Sequence, residues 1–280
     1  MNSRWGAACL FIAVSHAVVH ADVTITMTNS MEGPLAGLAG ANMPSMTMRI
    51  QGLKARTDMD IVDRSFATIS DVAARQALML DQTQKTVQRV PFNLSGQPDA
   101  ATGGGLNFTM PKTDVALERT GRTEQIAGQS CEEFHIVTTM DMSQAALATP
   151  GAPAAMKDLR MVMKGSTWIS TSSAAASEFI NFQRAAREAG LSMPTNLFGG
   201  PGAPDPTSQS AAMEGLPCLS EIDVSYEGTG PMIEMMKKMG PMKVTSRLTE
   251  VSLAPVDPGV FAVPDGYKES ALENPFIPRR

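Results

Sequence analysis

Apolar residues recurring at every second position, in short segments separated by polar turns, constrain this chain more than any other feature. Asp22 to Thr28 sets Val23, Ile25 and Met27 against polar neighbours, and Ser45 to Lys54 sets Met46, Met48 and Ile50 against Thr47, Arg49 and Gln51. Phe66–Ser70, Ala77–Asp81, Lys85–Val90, Thr123–Ile126, Cys131–Val137, Lys164–Thr171, Glu221–Tyr226 and Lys243–Leu253 read the same way. A period of two predicts half-buried strands, and the intervening turns, Thr120-Gly121-Arg122 among them, predict an antiparallel meander. One segment breaks the period. Ala174 to Ala189 repeats Phe179, Phe182 and Ala186 at spacings of three and four, which predicts a helix closed by Gly190. A helix with one aromatic-bearing face needs a sheet to cover.

Residues 1–21 carry Arg4, an apolar stretch from Ala7 to Val19 and a Val19-His20-Ala21 cleavage site, the pattern of a signal peptide. The remainder, 22–280, reads as a single domain with Gly/Pro-rich loops at 91–106 and 199–212. Periplasmic or secreted localisation follows, without a transmembrane anchor, as a monomer with peripheral envelope contact. Of three cysteines, Cys9 falls in the export segment. In the oxidising compartment that export reaches, Cys131 and Cys218 are expected to form one structural disulfide.

The charge balance argues against nucleic acid, because 23 Lys and Arg stand against 28 Asp and Glu. No serine elbow, phosphate loop, dinucleotide fingerprint or zinc-protease motif is present. His135, the sole histidine after residue 21, lies in CEEFHIV, an ordinary strand pattern, and strand alternation sends Glu132 and Glu133 to opposite faces. One histidine and two paired cysteines are too few ligands for zinc chemistry. The chain therefore reads as a non-enzyme without catalytic residues, metal site or cofactor.

Methionine is over-represented, at 21 of 280 residues. Pro231 to Met242 places Met232, Met236 and Met239 at helical spacing, while Met43, Met46 and Met48 form a second group and Met156, Met161 and Met163 a third. Flexible thioether side chains suit an adaptable apolar groove. Phe179, Phe182, Met232, Met236 and Met239 are the ligand-binding candidates, with a lipid, lipoprotein or other apolar molecule as partner. Two alternatives stand beside this one. The methionines can fill the core of a structural or protein-interaction module, or at least three thioethers can converge on reduced copper.

The segment Thr120 to Phe134, TGRTEQIAGQSCEEF, and the segment Gly259 to Tyr267, GVFAVPDGY, together with Trp168, resemble the signatures of an exported bacterial family, the domain of unknown function 4412. That family is similar in architecture to the periplasmic lipoprotein carriers of LolA and LolB type. The resemblance implies a mainly β fold with α, in which a curved antiparallel sheet, a LolA-like half-barrel, wraps one or more helices around an apolar cavity. It carries over no catalytic or ligand-binding residue.

Overall fold

The computed structural model describes residues 22–33, 45–61, 64–90, 112–141, 158–191 and 214–270. The expected export segment and both Gly/Pro-rich loops lie outside the described residues. The strands are β1 (Val23–Glu32), β2 (Met46–Gln51), β3 (Lys54–Ile61), β4 (Arg64–Asp71), β5 (Gln76–Asp81) and β6 (Thr86–Val90). They continue as β7 (Lys112–Ile126), β8 (Gln129–Asp141), β9 (Arg160–Ser170), β10 (Leu216–Glu227), β11 (Met242–Ser252) and β12 (Lys268–Glu269). Helix α1 spans Ala174–Glu188 and helix α2 spans Pro231–Met239.

All twelve strands form one sheet in the order β12-β6-β5-β4-β3-β2-β1-β11-β10-β9-β8-β7. Two antiparallel meanders, β1 to β6 and β7 to β11, are joined where β1 pairs with β11 from Thr24 against Ser252 to Glu32 against Lys243. The β7–β8 hairpin turns at Ala127 and Gly128, with φ of 49° and 75°. Positive φ at both central residues matches the right-handed twist of the flanking strands, and Gly128 accepts it without a Cβ penalty.

The structure corrects two expectations and adds a strand. The LolA-like half-barrel does not form. Among the described residues the strand order runs in one line from β12 to β7, so the sheet is not closed, and α1 packs mainly against β1, β2 and β10. Alternating polarity assigns residues to two faces but carries no information about curl, which depends on local twist and bulges. Thr120-Gly121-Arg122 does not turn the chain. It is absorbed as an irregularity inside β7, where the register against β8 shifts between Arg119 and Thr123 and Gly121 takes a φ of 77°. The strand β3 was masked in the sequence by its charges, yet Arg49 and Arg56 both pair with Asp58 at 2.7 Å and make that polar face self-consistent.

The two cysteines bond, with Cα atoms 6.4 Å apart and both side chains fully buried. Strand β9 lies between the strands that carry them, and the β9–β10 register shifts at Pro217/Leu219, beside Cys218. The disulfide thus ties β8 to β10 across the end of β9. On the far side of the sheet, Phe261, Val263 and Tyr267 pack on Ala67, Ile69, Leu80 and Val87. Arg56 Nη1 donates to the Val260 carbonyl at 3.0 Å and holds this C-terminal segment in place.

Helix α1 begins at Ser173, whose hydroxyl accepts from the Ala176 amide at 3.0 Å. Near its other end, Arg184 donates to Glu214 at 3.0 Å and Arg187 pairs with the same carboxylate, tying the helix to the entry of β10. The hydrogen bond from Arg184, then that from Arg187, holds the Glu214 carboxyl below the usual glutamate range. A lowered native pKa stabilises fully above the unfolded pKa, and that contribution is lost as pH falls through the native one. The arginine side chains are 54% and 37% exposed, so the whole contribution is under about 1 kcal/mol. Urea midpoints at about pH 6 and about pH 3 test this. Glu214→Gln is expected to lower the first midpoint more than the second, whereas equal effects at both would show that the carboxylate charge is irrelevant.

Candidate functional site

The buried residues divide into clusters, and the candidates from the sequence fall mostly into one of them. Phe179 and Phe182, at 4% and 0% exposure, pack with Val23, Ile25, Met48 and Ile50, and the same cluster contains Trp168 and the disulfide. These two aromatics occupy the interface between α1 and the sheet. Met236 and Met239 are half-buried on α2 and do not belong to that cluster, while the side chain of Met232 lies outside the described residues. Ile233 anchors α2 at 1% exposure, and Met235 points outward at 57%. The structure therefore places Phe179 and Phe182 in a cluster to which Met236 and Met239 do not belong.

A second cluster does gather methionines, and it is built from strands alone. Register across neighbouring strands places Thr113, Met140, Met161 and Tyr226 side by side on one face. The next row on that face is Val115, Thr138, Met163, Val224 and Met242, and the third is Leu117, Ile136, Gly165, Ile222, Val244 and Met31. Five methionines thus share one apolar cluster on β1 and β7 to β11, with Met140 and Met163 buried and Met31, Met161 and Met242 half-buried, and no side chain of α1 or α2 belongs to it. Gly165 fits the third row because a Cβ there would stand 1.9 Å from the Glu221 carbonyl oxygen of β10, so the position excludes any larger residue.

Two polar features accompany the surface. Burial pushes the Tyr226 phenol above its ordinary range, as expected for a hydroxyl on a desolvated apolar face. A fourth row, Phe134, Thr167, Ser220, Ser246 and Asn29, crosses the same face between the two clusters. On β1 the sequence Met27, Asn29, Met31 passes from the helix-covered cluster through this row to the methionine cluster, and Leu248, Ser246, Val244 does the same on β11.

The titratable side chains near this face are singly placed or paired in the sheet. Among the described residues no group of three His, Cys, Asp or Glu side chains could hold a metal ion. His135 is exposed on β8, paired across from Glu118 and Ser166. The buried Glu133 carboxylate is held by Thr120 at 2.9 Å and Arg122 at 3.1 Å, and Glu132 pairs with Arg119 at 2.8 Å. A cleft of about 50 Å³ between Lys54, Asp71, Gln76 and Phe261 has room for a water or two and not for an organic ligand.

Closeness in the chain made Met161 and Met163 visible in the sequence as a group with Met156, which lies outside the described residues, but not the neighbours that complete the cluster. Met31, Met140 and Met242 join them only through pairings between segments far apart in the chain.

Among the described residues the fold and the face define an unclosed twelve-stranded sheet with an apolar, methionine-rich cluster. No family model matches the chain, and no curated protein matches it. The likeness of Thr120–Phe134 and Gly259–Tyr267 to the domain of unknown function 4412 therefore stays at the level of motifs. Among solved structures the chain is similar to the Mycobacterium tuberculosis lipoprotein LppX, at 13% identity and a TM-score of 0.30 over 84% of this chain and 88% of that one. Overlap of that size does not transfer any property from the lipoprotein to this chain. Among the described residues no helix is long and apolar enough to cross a membrane.

Proposed function

We propose that this is an exported, non-enzymatic protein that binds an apolar molecule, a lipid or the acyl chain of a lipoprotein, on the methionine-rich face of β1 and β7 to β11. The observation that carries the reading is the cluster of Met31, Met140, Met161, Met163 and Met242 on one sheet face without a helical side chain among its members. Unbranched, polarisable thioethers adjust to chains of irregular shape, whereas a surface needed only for core packing is better specified by Leu, Ile and Val. The signal-peptide pattern at residues 1–21 supports export, and the motif-level resemblance described above points towards the same ligand class.

Fluorescence titration with N-phenyl-1-naphthylamine, an uncharged apolar dye, tests the proposal. The wild-type protein is expected to bind the dye saturably. Met161→Glu, on the half-buried row beside Met140 and Tyr226, is expected to weaken binding by at least about tenfold, since a carboxylate placed against an apolar ligand loses hydration. Met235→Glu on the exposed side of α2 is expected to leave binding unchanged. Absence of saturable binding to the wild type, or equal affinities of wild type and Met161→Glu, would overturn the reading.

A further inference from the structure

The polar row beside the methionine face has a property that core packing does not explain. Ser246 is 6% exposed and its hydroxyl oxygen has no hydrogen-bond partner among the described residues. Buried hydroxyls are nearly always paired, because an unpaired one forfeits its hydrogen bonds to water without replacement. The orphan is not isolated. Ser246 sits directly across from Ser220 on β10 and Asn29 on β1, and Ser220 sits across from Thr167 on β9. Four adjacent strands thus present hydrogen-bonding side chains in a line along the border of the apolar surface.

Resting on the ligand reading above, we propose that this row receives the uncharged, hydrogen-bonding head of an amphiphile whose hydrocarbon chain lies along the methionine rows. The head group supplies the partner that the Ser246 hydroxyl lacks, and that hydroxyl can donate to a head-group oxygen or accept from a head-group hydroxyl. The four strands that carry Asn29, Ser246, Ser220 and Thr167 put no charged side chain into the row. At its β7 end, Arg119 stands across from Phe134; its guanidinium lies 5.6 Å from that ring and its Nε pairs with Glu132. An ionised head would therefore enter a buried site without a counter-charge, which is strongly unfavourable. An alcohol, ester or amide fits, and a fatty-acid carboxylate does not.

Displacement of N-phenyl-1-naphthylamine by three ten-carbon probes separates these chemistries: decan-1-ol, decane and decanoate at neutral pH. Ser246→Ala is expected to weaken displacement by decan-1-ol about three- to tenfold, the loss of one hydrogen bond, while displacement by decane stays unchanged. Decanoate is expected to be the weaker competitor against the wild type when set against decan-1-ol. The variant is also expected to melt no lower than the wild type, since it removes an unpaired hydroxyl and opens little space. A decan-1-ol affinity untouched by Ser246→Ala, an equal loss for decane, or preference for decanoate would overturn the head-group assignment while leaving the apolar face intact. Failure of all three probes to displace the dye, or failure of the dye to bind, would remove the apolar-ligand reading itself and this inference with it.

Discussion

Opening the bond between Cys131 and Cys218 is expected to cost about 4 to 5 kcal/mol of stability, most of it by freeing the unfolded chain. The bridge closes a loop with a sequence separation of 87 residues, and the entropy regained by the unfolded state grows with the logarithm of loop length. Its place in the fold adds a second effect. Both sulfurs belong to the cluster that holds Trp168, Phe179 and Phe182, and they tie β8 to β10 across β9. Urea unfolding of Cys131→Ser and of the Cys131→Ser/Cys218→Ser pair, each beside oxidised and reduced wild type, measures the cost. All three open forms are expected to unfold at similar, lower urea concentrations. A variant as stable as the oxidised wild type would mean that the crosslink contributes nothing to the fold.

Local sequence signals translated well into local structure here. The alternation of Val23, Ile25 and Met27 became the buried side of β1, and Phe179, Phe182 and Ala186 became the buried side of α1. The pairing of Cys131 with Cys218 followed from compartment and count, and the bond forms. What the sequence did not disclose is non-local. Met140 meets Met161 and Met161 meets Tyr226 through strand register, and register is set by pairings that no single segment encodes. For the same reason the polar row was invisible. Thr167, Ser220, Ser246 and Asn29 each look like an ordinary polar strand position until the strands are laid side by side.

Methionine spacing in Pro231–Met239 was a weaker guide. Helical periodicity places Met236 and Met239 on one side of α2, and both are half-buried, but period alone does not report how deep that side sits. Ile233 makes the buried anchor instead. The approach at this end of β10 is close: a Cβ at Gly228 would meet the Asp158 carbonyl oxygen at 2.5 Å and Ile233 Cδ1 at 2.8 Å. Lys237 reaches back to the Gly228 carbonyl at 2.9 Å and to Glu234 at 3.0 Å. A nine-residue helix has little stability of its own, so these few contacts set its position.

Truncation of Phe182 to alanine is expected to destabilise the protein by about 3 to 5 kcal/mol while leaving dye affinity unchanged. The side chain is fully buried where α1 meets the sheet, so its removal loses transfer energy and leaves a cavity that the surrounding strands fill only in part. Phe182→Leu, which keeps most of the volume, is expected to cost less than half as much. The pairing of a stability readout with a binding readout is what gives the experiment its force. The sequence put Phe182 among the ligand contacts, whereas the packing puts it in a different cluster from Met140, Met161 and Met163. If Phe182 belongs only to the core, both variants lower the melting temperature and bind N-phenyl-1-naphthylamine like the wild type at temperatures where they remain folded. A folded Phe182→Leu variant with dye affinity reduced about tenfold would place the ligand against α1 and move the site away from the methionine face.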